Sequence, residues 1–188
     1  VSDFAERNIR QNVMEWDEAQ HFPVEIFKQL GELGLMGVLV PEEYGGSGAD
    51  TISFAIATEE LSRVCASTGI TYSAHISLGG APLHLFGSEE QKQKYLVPIC
   101  TGESFGAFGL TEPNAGSDAG GTETQAVLEN GQYKINGTKM FITNASFAKH
   151  LAITAITGNV NGHKEISAII VPTNAPGFTI KSEYEKMG

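Results

Sequence analysis

Two stretches of this 188-residue chain gather the residue types that could hold a ligand. The first, Phe108 to Gly121 (FGLTEPNAGSDAGG), sets the hydroxyls of Thr111 and Ser117, the carboxylate of Asp118 and the glycines Gly116, Gly120 and Gly121 just after a short apolar run. Glycines let a loop bring its backbone N–H groups close to a pyrophosphate, and hydroxyls add donors without adding charge. An ordinary surface loop has this composition too. The spacing matches neither GxGxxG nor GxxxxGK(S/T), which counts against the Rossmann and P-loop patterns. The second stretch, Asn136 to Ala148 (NGTKMFITNASFA), alternates Phe141 with Thr143. On a strand the two would share a face, offering a ring and a hydroxyl to a flat heteroaromatic group. An amphipathic strand with a core Phe reads the same way.

Other candidate chemistry is weaker. Gly102-Glu-Ser-Phe-Gly106 matches the GxSxG of serine hydrolases, but that elbow needs a strand before the serine and a helix after it. Here the order is inverted, with a capped helix first. His75 and His84 are nine apart and form no metal-ligand pattern, and Cys65 and Cys100 form no CxxC, so no metal site is expected. Twelve Lys and Arg stand against 22 Asp and Glu, a net charge of -10, with no basic run to neutralise phosphates. Nucleic acid is therefore excluded as a partner, and any anionic ligand must be held by backbone N–H groups, hydroxyls or helix ends. No apolar stretch reaches the length of a membrane span and Val1 to Arg10 has no secretion signal, so bacterial cytoplasm or an organelle matrix is expected.

The elements that must carry these residues change character near Thr101-Gly102. Before it, apolar residues recur at helical spacing. Ile26, Phe27, Leu30 and Leu33 line one face between Pro23 and Gly34, and Asp50 caps a helix with Ile52, Ile56, Leu61 and Val64. Thr68 to Leu85 reads as a helix rich in small residues that admits a close neighbour or ligand. Ser88 and Gln91 form a capping box for the next helix. After it, the period falls to two: Ser104 to Leu110, Thr122 to Glu129, Thr138 to Thr143, His150 to Thr157 and Glu165 to Val171 read as strands. Asn130-Gly131 and Asn136-Gly137 read as hairpin turns, and a loop holding Gly158, Asn159, Asn161 and Gly162 joins the last two strands. The fold class expected is α+β, a helical region up to about Gly102 followed by an antiparallel β domain. Because the sequence stops at Met187-Gly188, soon after a strand-like Phe178 to Lys181, the β domain is expected to be incomplete and the natural protein to continue.

Taken together, the two ligand stretches resemble the acyl-CoA dehydrogenase family. Gly109 to Gly121 is similar to its first signature and Lys139-Met-Phe-Ile-Thr-Asn144 to its second flavin-contacting strand. Val40-Pro-Glu-Glu-Tyr-Gly-Gly46 and Phe86-Gly-Ser-Glu-Glu-Gln-Lys-Gln-Lys-Tyr-Leu96 resemble motifs of its helical domain. The resemblance implies an all-α domain over residues 1–103 followed by an antiparallel β-barrel over 104–188, with FAD as cofactor, Phe108, Leu110 and Thr111 lining the isoalloxazine and Gly116 and Ser117 near the pyrophosphate. It further implies that Phe141 stacks on the ring, that Ile142 and Thr143 complete the contact, and that Ser117 also borders the acyl-CoA. The implied reaction is α,β-desaturation of an acyl-CoA thioester, with an electron-transferring flavoprotein as acceptor and a homotetrameric parent. No catalytic residue is assigned, because the family's glutamate base belongs to a C-terminal domain beyond this sequence; Glu112 and Asp118 are read as shaping their loop. A flavoprotein oxidase or monooxygenase of the same fold, or an inert fragment, are the alternatives. Ala145 departs from the family, which commonly has Gly there.

Overall fold

The structure is a computed structural model that describes residues 1–181, 183 and 184. Met187 and Gly188 lie outside the described residues. Two compact units hold Val1–Gly106 and Ala107–Thr179.

The first unit is helical, and its ends are set by local chemistry. α1 (Ser2–Asn8) and α2 (Val13–Glu18) lead to α3 (Val24–Glu32), which buries Ile26, Phe27 and Leu30. Gly34, at φ +73°, closes α3: its N–H donates to Gly31 O and the Leu35 N–H to Leu30 O, both at 2.8 Å. Only glycine adopts that left-handed conformation without strain. α4 (Thr51–Val64) begins where the Asp50 carboxylate accepts the Ser53 N–H at 2.8 Å. The expected helix from Thr68 to Leu85 runs as α5 (Ala66–Ala74), a π-helical segment (His75–Gly80) and α6 (Ala81–Phe86). One of its small residues answers to helix packing, since a Cβ on Gly69 would come within 2.0 Å of Ser62 Oγ on α4. The capping box forms as expected: Ser88 Oγ accepts the Gln91 N–H at 3.2 Å and Gln91 Oε1 accepts the Ser88 N–H at 2.9 Å. It opens α7 (Glu89–Gln91), which continues through a second π-helical segment (Lys92–Leu96) into α8 (Val97–Cys100).

At the centre of this unit Phe27 stacks on Phe22 at 5.4 Å and meets the edge of Phe105 at 5.3 Å, with the His75 ring 6.2 Å from Phe105. His75 is fully buried. Its Nδ1 accepts the Gly106 N–H, so Nε2 carries the proton and donates to Met36 O, each at 3.0 Å. Ser104 is 2% exposed and follows α8, which is the inverted order that excludes a nucleophile elbow.

The second unit is a five-stranded sheet built on one long strand. β4 (His150–Val160) pairs antiparallel with β5 (His163–Pro172) and, on its other edge, parallel with both β1 (Phe108–Gly109) and β2 (Gln125–Glu129); β3 (Gln132–Asn136) pairs antiparallel with β2. The sheet is thus mixed rather than purely antiparallel, and among the described residues it does not close. The two hairpins β2–β3 and β4–β5 turn at Asn130-Gly131 (φ +51° and +78°) and Asn161-Gly162 (φ +52° and +82°), the positive pairs that a two-residue type I′ turn requires. Gly158 and Asn159 belong to β4, with a bulge between Ile156 and Gly158, so the expected loop is a tight turn.

Three expected elements differ. Ser104 to Leu110 keeps a strand only at β1, Phe178 to Lys181 carries none, and Thr138 to Thr143 is a crossover rather than a strand. Asn136-Gly137 makes no hairpin: Gly137 lies where a Cβ would come within 2.2 Å of Thr124 Oγ1, so its small size serves packing. Among the described residues no helix is long and apolar enough to cross a membrane.

Candidate functional site

β4 leaves a gap on the edge it shares with β1 and β2. Ala152 N–H donates to Ala107 O and Ile156 N–H to Thr124 O, so the chain between, Leu110 to Glu123, is extruded as a loop. Glu112 closes that loop. Its carboxylate, 3% exposed, accepts the Thr122 hydroxyl, the Glu123 N–H at 2.6 Å, the Thr124 N–H at 3.2 Å and the Lys139 ammonium at 2.6 Å. Burial pushes its pKa up, but the bonds from Lys139, Thr122, Thr124 and Glu123 outweigh that and hold the carboxyl well below the usual carboxylate range. Glu112 therefore shapes the loop, as the sequence suggested, and is a poor proton acceptor.

The crossover Gly137 to Lys149 runs against the start of the loop. Met140 N–H donates to Thr111 O at 2.8 Å, and Lys139 Nζ donates to Leu110 O at 3.1 Å and Thr154 Oγ1 at 3.0 Å. The structure thus brings the Leu110–Thr111 and Met140–Phe141 backbones together. Phe141 and Thr143 do not alternate on a strand: Phe141 (φ +57°) and Asn144 (φ +69°) are left-handed, and a turn begins at Thr143, with the Phe147 N–H bonded to Asn144 O at 3.0 Å. A left-handed Phe is an outlier that costs about 1–3 kcal/mol, and such costs concentrate at ligand sites. Ala145 has no positive φ, the left-handed residue of this turn being Asn144, so backbone conformation does not call for glycine there.

The remaining expected contacts present open surface. Phe141 is 57% and Leu110 38% exposed; Ser117 and Thr143 are exposed, while Phe108, Thr111 and Ile142 are half-buried. Gly116 has nothing within 4 Å of an added Cβ, so its backbone can be approached closely. Exposed ring surface, exposed hydroxyls and an approachable loop backbone make up a donor set of the kind that fits a flavin dinucleotide in an acidic chain. Lys139 was missed as a site residue. Its signal was its place two residues before Phe141, in a chain with few cations.

Residues 1–103 match the family described as "Acyl-CoA dehydrogenase, N-terminal domain" and residues 107–188 "Acyl-CoA dehydrogenase, middle domain". Among relatives, a probable acyl-CoA dehydrogenase of Bacillus subtilis is 56% identical over 100% of this chain and 50% of its own. A short-chain specific acyl-CoA dehydrogenase of Clostridium acetobutylicum is 48% identical over the same shares. The chain spans about half the length of these curated relatives. Among solved structures, butyryl-CoA dehydrogenase from Megasphaera elsdenii superposes with a TM-score of 0.93 at 41% identity, covering 100% of this chain and 50% of that one. An acyl-CoA dehydrogenase complexed with FAD from Bacillus anthracis reaches 0.90 at 41% identity, covering 100% and 32%. With both of its units matched in order and an extruded loop clamped to a strained aromatic crossover, the chain belongs to the acyl-CoA dehydrogenase family.

Proposed function

We propose that this chain supplies the helical and flavin-bearing domains, residues 1–103 and 104–188, of an FAD-dependent enzyme that desaturates short-chain acyl-CoA thioesters between the α and β carbons. The observation that carries the reading is the left-handed Phe141, 57% exposed, next to the Thr111–Met140 backbone bond that ties the crossover to the loop. When bound, FAD accepts the two electrons that leave the substrate.

Leu110, Thr111 and Phe108 on the loop side and Phe141, Ile142 and Thr143 on the crossover side hold the isoalloxazine. Gly116 and Ser117 meet the pyrophosphate with N–H and hydroxyl donors, and Ser117 also borders the acyl-CoA. Each works without formal charge, which suits a protein of net charge -10. The α-proton is assigned to a glutamate of a further domain, as the family resemblance implies; Glu112, buried and accepting from Lys139 and Thr122, does not take that role. An electron-transferring flavoprotein receives the electrons, the parent is a homotetramer, and it works in a bacterial cytoplasm or a mitochondrial matrix.

Titration of the purified chain with FAD, read by flavin fluorescence, tests the cofactor. Saturable binding is expected, and Ser117→Ala, which removes a hydroxyl from a charged phosphate worth about 1.5–3 kcal/mol, is expected to weaken it roughly ten- to hundredfold. No saturable binding, or an unchanged Ser117→Ala, overturns the placement. Dye reduction with butyryl-CoA by the protein carrying all of its domains tests the reaction.

A further inference from the structure

Lys139 is held in a way that the flavin contacts do not explain. Its side chain is 11% exposed, and Nζ reaches Leu110 O at 3.1 Å, Glu112 Oε1 at 2.6 Å, Thr154 Oγ1 at 3.0 Å and Thr122 Oγ1 at 3.4 Å. The ammonium's three N–H groups serve Leu110, Glu112 and Thr154, the nearest acceptors, while the Thr122 hydroxyl donates to Glu112 and lies farther from Nζ. A buried ion pair of this kind rarely adds stability over an apolar pair of the same volume, because both charges have lost their hydration. Fixed geometry is what it does provide.

That geometry concerns the two proposed flavin segments. Lys139 binds the carbonyl of Leu110 through its side chain, and Met140 binds the carbonyl of the next residue, Thr111, through its N–H at 2.8 Å. Two successive residues of the crossover thus tie two successive residues of the loop. Glu112 ties the same loop to its own far end through the Glu123 and Thr124 N–H groups, and Thr154 ties the lysine to β4. Leu110 and Thr111 on one side, and Phe141 and Ile142 on the other, are all within three residues of this knot.

We propose that Lys139, acting with Glu112, is a positioning residue for the flavin edge: the ammonium sets the spacing between Leu110–Thr111 and Met140–Ile142 without touching the cofactor. The inference rests on the FAD reading above.

FAD and ADP affinities and backbone hydrogen exchange, measured on the purified chain and its variants, test it. Lys139→Met is expected to weaken FAD at least tenfold and to change ADP, which lacks the isoalloxazine, less than twofold. The Met140 amide should exchange at least tenfold faster, while the β4–β5 amides stay protected. Lys139→Arg, which keeps the charge, should recover most of the Met140 protection. Thr154→Val removes one acceptor and preserves shape, and should weaken FAD two- to fivefold, so the proposal is tested even if Lys139→Met fails to fold. Equal weakening of FAD and ADP, or FAD binding unchanged in both Lys139→Met and Thr154→Val, overturns the positioning role. A wild-type chain that binds no FAD instead sinks the flavin reading on which it rests.

Discussion

Phe141 concentrates the tension between folding and ligand binding at a single position. Its φ of +57° is strained for a side chain with a Cβ, and with 57% of its surface exposed the ring recovers little by burial. Glycine would relieve about 1–3 kcal/mol of strain and return about 0.5–1 kcal/mol of that in unfolded-chain entropy. Phe141→Gly should therefore leave the urea unfolding free energy unchanged or raise it by up to about 2 kcal/mol, while weakening FAD. A loss of stability of more than about 1 kcal/mol would mean that the ring is a packing element and has no claim as a ligand face.

At the scale of elements, glycines in two Asn-Gly pairs answer to different demands. Gly131 sits in a type I′ turn at φ +78°, whereas Gly137 has no positive φ and faces Thr124 Oγ1, Cβ and Cγ2 at 2.2, 2.6 and 2.7 Å from the position of an added Cβ. Thr124 is 2% exposed and branched at Cβ, so it has little room to yield. Gly137→Ala is expected to cost about 1–3 kcal/mol by overpacking. Gly137→Asn should cost at least as much, where a turn position would accept Asn readily. Chemical denaturation of the two variants decides between clash and turn. The same contrast shows what was legible beforehand. The Asp50 cap, the Ser88 box and the Asn130-Gly131 hairpin were readable because each is written in residues within a few positions of one another. The Gly137 contact spans 13 positions, and the parallel pairing of β1 and β2 with β4 spans up to 44, as in Phe108 with Ala152. Local pattern carries no trace of either. In the site, Glu112 was readable as a loop former because it sits inside the loop it closes. Lys139 was not, because a lone lysine ordinarily lies in solvent and its partners Leu110, Glu112 and Thr154 come from two distant segments.

For the whole molecule, buried titratable groups make stability a function of pH, and the signs can be separated. Burial pushes His75 and His150 down from 6.5 to about 4, so both are neutral in the folded protein at neutral pH. Their contribution is complete above 6.5. As pH falls from there toward 4, the unfolded chain takes up protons that the folded chain refuses, and stability declines by about 1.4 kcal/mol per pH unit for each histidine. Glu112 also stabilises above its unfolded value, 4.5, but its folded pKa is lower still, so its share is lost only as pH drops further. The interval from pH 6.5 to 4.5 thus belongs to the histidines. His75→Gln preserves the local bonding in principle, since the amide can donate to Met36 O and accept the Gly106 N–H, yet it cannot titrate. Urea unfolding at pH 7, 6 and 5 should show wild-type stability falling steeply, and the His75→Gln slope about half as steep with His150 still present. Equal slopes in the two proteins would mean that His75 accepts its proton without unfolding, and that the aromatic cluster around Phe105 opens to water in acid.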